Sequence, residues 1–308
     1  MTVRVLVIGI GTGNPEHLTR EAVHALNQVD VFLVADKGED KDDLVRLRDD
    51  ICQATITGDY RLVEVVDPPR GPDRDRDQSA YLAGVDSWHQ RRALRYAEVI
   101  RAELGTNGTV GFLVWGDPAL YDSTIRVVEL IASSGLELQL EVIPGISSLL
   151  LLAARHRIVL NRVGQPIHIT TGRRLLEEYS PALGDVAVML DGHLTCRGLV
   201  QAYPDLRIFW GAQLGLPDEC LVSGTLVEVL PDIEQIRGEA RQRRGWVMDT
   251  YLLRSARPAT EPRPTLIRPA HTHLRSTFPD RGTVSHSIQP AGPTFPDRGT
   301  VPHSIPPV

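Results

Sequence analysis

The 308-residue chain predicts an α/β protein of two α/β domains with one ligand cleft between them, and three observations lead there. Up to residue 143, short apolar runs alternate with helix-like stretches, the pattern of buried parallel strands joined by crossover helices. Past Pro144 the strands crowd together and the last is half polar, as in a mixed sheet with a solvated face. Two neighbouring apolar runs, 109–114 and 138–143, stop abruptly at Trp115-Gly116-Asp117-Pro118 and Pro144-Gly145. Strand ends of a parallel sheet open onto the ligand crevice, so these two turns mark one binding site.

The elements follow in order. Residues 3–8 read as a buried strand and residues 9–13 as a glycine loop. Asn14 is the expected N-cap, with Pro15 in the first helical position and Leu18, Ala22, Ala25, Leu26 and Val29 along one apolar face. A strand at 31–35 completes a right-handed parallel crossover. The charged stretch 37–50 places Leu44, Val45 and Leu47 on one side of a short helix over the cleft. A strand at 61–66 leads to Asp67-Pro68-Pro69-Arg70-Gly71 and a charged loop at 72–78 that should be mobile. A long helix spans 79–104, with Tyr81, Val85, Trp88, Tyr96 and Val99 inward; the strand 109–114, a helix over 120–134 and the strand 138–143 follow. Beyond Pro144 the expected strands are 166–171, 186–190, 206–210, 221–230 and 246–253.

These boundaries divide the chain into an N-terminal domain at 1–143, a second domain at 144–257 and a tail at 258–308. The tail holds 11 of the 22 prolines, and residues 277–284 recur at 294–301. Two copies of so short a unit build no solenoid, and the tail should be disordered because it has too little apolar surface to offset its chain entropy.

A net charge of −6 argues against a nucleic-acid partner, and the apolar N-terminus is interrupted by glycines too early for a membrane span or a signal peptide. Cys52, Cys196 and Cys220 show neither a pairing motif nor metal-ligand spacing, which fits a reducing cytoplasm. The glycine loop leaves a nicotinamide dinucleotide, a purely structural turn and another donor open. Gly9 and Gly11 match the first and third places of a dinucleotide fingerprint, and Asp36 sits where a ribose-binding carboxylate would, but the sixth place is Asn14.

Taken jointly, Gly11-Thr12-Gly13 with Leu18-Thr19, Gly116-Asp117-Pro118 with Tyr121, and Pro144-Gly145-Ile146-Ser147-Ser148 resemble the tetrapyrrole methylase family in order and spacing. The resemblance covers residues 3 to about 254. It implies the class III methyltransferase fold with an active site in the interdomain cleft, S-adenosylmethionine as methyl donor and co-substrate, no metal, and a homodimer. The runs 9–15, 36–38, 67–70, 210–212 and 246–254 look most like a deacetylating member, implying methyl transfer to a ring carbon of a reduced tetrapyrrole with release of acetate. Two departures stand out: Thr12 replaces the usual Pro, and the acid–base pair of the uroporphyrinogen methylases is absent, with Ala35 at the aspartate's place and no lysine in residues 65–70.

Carried over by position, the donor should rest on Thr12, Trp115, Gly116 and Asp117 with Leu120, Ser147 and Ser148 beside it. Leu190, Asp191 and Ala212 are the candidates for the adenine pocket. An acceptor rich in carboxylates calls for arginine forks, and Arg46, Arg48, Arg70, Arg173 and Arg174 follow strand ends. Deacetylation needs an activated water, for which Asp36 and then Asp122 are placed. The alternatives are a methylase acting on another precorrin, on RNA or on a modified protein, a nicotinamide-dependent oxidoreductase, and a non-catalytic ligand-binding module.

Overall fold

The computed structural model describes residues 2–36, 42–69 and 78–255, with side chains described for 2–35, 44–69 and 84–255. Arg70, residues 72–77 of the expected loop and the duplicated tail segment lie outside the described residues, and Gln78, the last residue of that expected loop, opens a helix instead.

The first sheet is wholly parallel, in the order β3-β2-β4-β1-β5, where β1 is Val3–Gly9, β2 Val31–Asp36, β3 Arg61–Val66, β4 Thr109–Val114 and β5 Leu138–Ile143. Strand side chains alternate between faces. Val3, Val5 and Val7 therefore pack with Ala93, Tyr96 and Ile100 of α3 (Gln78–Leu104) and Val127, Val128 and Ile131 of α4 (Thr124–Ser133). Leu6 and Ile8 meet Ala22 and Leu26 of α1 (Arg20–Leu26) and Ile51 and Cys52 of α2 (Asp42–Thr55) on the other face. Both faces of β1, β2 and β4 are covered, as their unbroken apolar runs require, whereas the edge strand β5 is largely exposed.

The second sheet runs β6-β7-β10-β8-β9, from β6 (Ile167–Thr171), β7 (Asp185–Met189), β8 (Arg207–Ala212), β9 (Cys220–Thr225) and β10 (Asp249–Arg254). Only β6 and β7 pair in parallel; the other pairs are antiparallel. One face packs on α6 (Gly172–Glu178) and α7 (Leu226–Arg244) through Leu175, Leu226 and Ile233 around Trp210 and Tyr251. The opposite face takes Leu149 and Leu152 of α5 (Ser148–His156) against Ala187 and Leu252. No helix among the described residues is long and apolar enough to cross a membrane.

Three expected elements are corrected. The helix expected from Asn14 is broken in two: Asn14 caps a three-residue 3-10 turn at Pro15–His17, Leu18 is extended, and Thr19 caps α1 by accepting the Ala22 N–H at 3.0 Å. A proline at N1 suits a first turn, but the second cap, Thr19, restarts the helix. The helix expected over 120–134 starts only at Thr124, because Tyr121 takes a left-handed φ of 54° and Asp122 caps the Thr124 N–H. The apolar run 221–230 is a strand only to Thr225, beyond which Leu226 opens α7. A short apolar run does not by itself distinguish strand from helix.

Candidate active site between the sheets

A cavity of about 560 Å³ lies where the carboxyl ends of β2 and β4 face the ends of β7 and β10. Its mouth is built by three backbone turns held against one another. Gly116 donates its N–H to the Gly11 carbonyl at 2.6 Å and accepts the Gly11 N–H at 3.2 Å. The Asp117 carboxylate accepts the Ala119 N–H at 2.8 Å and the Gly145 N–H at 2.9 Å. A Cβ on Gly145 would lie 2.1 Å from the Gly116 oxygen, and one on Gly9 would lie 2.6 Å from the Gly145 nitrogen. Such contact is open only to glycine. The interlock leaves Trp115, Gly116 and Asp117 lining the cavity, beside Thr12, Leu120, Ser147 and Ser148. Ser147 caps α5 through the Leu150 N–H, so the first turn of that helix faces the same space.

The opposite wall comes from the second sheet. Leu190 is two-thirds exposed, has a φ of 53° and lines the cavity. A non-glycine residue held there costs on the order of 1–3 kcal/mol and persists because its surroundings enforce it. Here the enforcing group is Asp191. Its buried carboxylate accepts from the His193 and Thr195 N–H groups, the Thr195 hydroxyl and, at 2.6 Å, the Tyr251 hydroxyl, while Arg237 donates to its carbonyl. Asp191 is thus a brace that presents the Leu190 turn. Leu214, Met189 and residues 247–250 complete the wall.

Arg70 lies outside the described residues; among those described, Arg48 is the one expected arginine that lines the cavity. It donates to the Leu113 carbonyl at 3.3 Å and the Leu44 carbonyl at 2.9 Å, and its guanidinium carbon lies 5.8 Å from the Trp115 ring centroid. Burial holds its pKa below the usual arginine range, against the neighbouring Tyr96 and Asp122. Arg46, two residues back along the same helix, is exposed and does not line the cavity, as the 3.6-residue period dictates. Arg173 and Arg174 lie on the exposed side of α6, outside the cavity lining, where Arg174 pairs with Glu178 one turn on. Ala212 ends β8 with its side chain inside the second core, and the nearby lining residue is Leu214.

Asp122 lines the cavity and is exposed, with Oδ1 taken by the Thr124 N–H at 2.6 Å. Asp36 ends β2, and its side chain lies outside the described residues. Arg92 and Tyr96, four residues apart on α3, line the floor, and Met248 and Asp249 line the opposite wall; none of the four is among the site residues expected from sequence. For Arg92 and Tyr96 the only signal is spacing, because Trp88, Arg92 and Tyr96 share a helix face that reads equally as core, whereas Met248 and Asp249 fall in the run 246–254 that carries the resemblance. Burial raises the Asp249 carboxyl to about 6, against the pull of Arg237 and of the Trp210 N–H, which bonds it at 2.8 Å.

The architecture fits a donor that rests on backbone rather than on a dinucleotide helix. After the first strand the chain forms only a three-residue turn, so no long helix starts there to face a pyrophosphate. Comparison with known proteins agrees. The family model of the tetrapyrrole (corrin/porphyrin) methylases matches residues 4–230. A precorrin-6A synthase [deacetylating] from Sinorhizobium is 46% identical over 253 residues, which is 82% of this chain and 95% of that one. The crystal structure of a cobalamin synthesis related protein (CobF) from Corynebacterium diphtheriae superposes with a TM-score of 0.69 at 36% identity, covering 83% of this chain and 99% of that one. A uroporphyrin-III C-methyltransferase from Thermus thermophilus, complexed with S-adenosylhomocysteine, shares the fold at a TM-score of 0.50 and 19% identity, covering 82% of this chain and 92% of that one.

Proposed function

Because the chain belongs to the tetrapyrrole (corrin/porphyrin) methylases, we propose that it is an S-adenosylmethionine-dependent C-methyltransferase of cobalamin biosynthesis, which methylates precorrin-5 at C-1 with release of acetate to give precorrin-6A. The observation that carries this reading is the identity to the deacetylating relative along nearly its whole length. Residues 1–143 and 144–257 act as the two domains that enclose the cavity, in a cytoplasmic homodimer.

The donor supplies a methyl group on a sulfonium, and the protein's task is to hold methyl, sulfur and ring carbon in line. A cradle of interlocked glycines suits it, since side chains at Gly9 or Gly145 would drive the turns apart. Trp115, Gly116 and Asp117 contact the donor through their backbone, flanked by Thr12, Leu120, Ser147 and Ser148; Leu190 and the Asp191 backbone border its adenine. Asp117 and Asp191 serve through carboxylates already engaged by the protein. On the acceptor side Arg48 pairs with a carboxylate of the macrocycle, its planar fork and partial desolvation favouring that partner. Asp122, with one oxygen engaged by the Thr124 N–H, activates the water that removes the acetyl group, and Asp36 is the alternative base.

Calorimetric titration with S-adenosylhomocysteine and, separately, NADH tests the donor: micromolar binding of the first and none of the second is expected, and the reverse would sink the reading. Incubation with a precorrin-5 pool and methyl-labelled donor then tests the reaction, with one acetate released per methyl incorporated.

A further inference from the structure

The floor of the cavity on the first-sheet side carries one phenol, Tyr96, and two guanidiniums, Arg48 and Arg92. Tyr96 and Arg92 lie one turn apart on α3, and Arg48 reaches the same floor from α2. The Arg92 guanidinium carbon is 4.5 Å from the Trp88 ring centroid and 5.6 Å from that of Tyr96. Asp67, just after β3, fixes Arg92 through contacts of 2.9 and 3.1 Å. The Tyr96 ring sits edge-on to Phe112, with centroids 5.2 Å apart, so packing sets its direction.

We infer that the Tyr96 hydroxyl, flanked by Arg48 and Arg92, is the donor that stabilises the oxyanion formed when water adds to the acetyl carbonyl of the acceptor. This rests on the deacetylating reading above. Water bonds to the acetyl carbon while its proton passes to a carboxylate, and the carbonyl electron pair moves onto oxygen, where Tyr96 donates a hydrogen bond. Collapse of that oxyanion re-forms the carbonyl and breaks the bond from acyl carbon to ring carbon. Acetic acid leaves, and the ring carbon keeps the electron pair with which it takes the donor's methyl as the carbon–sulfur pair returns to sulfur. A donor in a low-dielectric floor contributes most when it is preorganised. Burial keeps the phenol protonated at neutral pH, outweighing Arg92 and Arg48, which pull the other way; Asp67 reinforces burial.

The test is Tyr96→Phe in the full chain, which keeps the packing on Phe112. Wild type must first release acetate with methyl incorporation from the precorrin-5 pool; if it does not, the functional reading fails, whatever Tyr96 does. With wild type active, the variant should lose about 100-fold or more in kcat for acetate and methyl together. The acceptor KM and the S-adenosylhomocysteine Kd should stay within about twofold, since the lost contact belongs to the transition state. A kcat within threefold of wild type, or a loss confined to KM, overturns the inference. If the variant does not fold, 3,5-difluorotyrosine at position 96 replaces it. Its more acidic phenol should move the alkaline limb of kcat to lower pH, and an unmoved limb overturns the inference equally.

Discussion

The Asp117 carboxylate accepts the Gly145 N–H at 2.9 Å, tying the turn after β4 to the turn after β5 across 28 residues of sequence. The same carboxylate holds the Ala119 N–H at 2.8 Å, so both oxygens are spent on backbone. Asp117 therefore acts as a staple between the two turns that carry the proposed donor site.

Asp117→Ala should accordingly lower stability by about 1–2 kcal/mol, because the partly buried Gly145 N–H is left without its acceptor and the exposed Ala119 N–H loses its turn bond. Asp117→Asn, which keeps one acceptor oxygen, should cost about half of that. Urea unfolding reads both, and S-adenosylhomocysteine affinity should fall in the same order. An unchanged urea midpoint for the alanine variant would remove the staple from the account.

Gly145→Ala should be worse than any loss of a hydrogen bond, because its Cβ would be 2.1 Å from the Gly116 oxygen and backbone must move. Little folded protein, or folded protein with donor binding abolished, is expected. Gly58→Ala is the control, since its Cβ would meet nothing within 4 Å. That change should stay within about 0.5 kcal/mol of wild type. Equal behaviour of the two variants in thermal unfolding would refute the interlock.

The strands β3, β4 and β5 were legible to the residue, because apolar runs bounded by glycine, proline and charge admit few other readings. So were the glycine turns, whose residue types match a close backbone approach. What stayed hidden was direction. Arg46 and Arg48 differ only by which side of α2 they occupy, and Leu44, Arg48, Ile51 and Cys52 show the inward face only once the helix phase is fixed. Arg92 and Tyr96 read as helix interior, because a cavity floor and a core share the same periodicity. The side chain of Ala212 is carried by β8 into the core, and the turn at Gln213 brings Leu214 to the cavity, a distinction of facing that residue type alone does not reveal.

Arg48→Ala should raise the acceptor KM about tenfold or more with donor affinity preserved, as expected for loss of a charge-assisted contact. Arg48→Lys should recover only part of it, because an ammonium lacks the planar fork. Arg46→Ala and Arg174→Ala, both on exposed faces, should leave KM unchanged. Steady-state kinetics with the precorrin-5 pool separates these outcomes, and a larger effect at Arg174 than at Arg48 would reassign the acceptor to the α6 side.

Asp249 gives the fold a pH signature. Its carboxyl is raised from 3.8 to about 6 by burial, so the folded state holds a proton that the unfolded chain releases. Between pH 4 and 6 the native protein binds more protons than the unfolded one, and stability contributed by the neutral acid is lost as pH rises through that window. The rise, with the pull of Arg237 and the Trp210 N–H already included, corresponds to about 3 kcal/mol at 1.36 kcal/mol per unit. Asp249→Asn keeps an acceptor for the Trp210 N–H but cannot titrate. Its stability relative to wild type should therefore increase by about 2–3 kcal/mol between pH 4 and 6 and then level off. Above pH 6 a constant penalty remains for the Arg237 guanidinium left without its carboxylate, which is why the slope and not the absolute difference is the measurement. Parallel stability–pH curves for the two proteins would mean that Asp249 is ionised throughout, and that Arg237 outweighs burial.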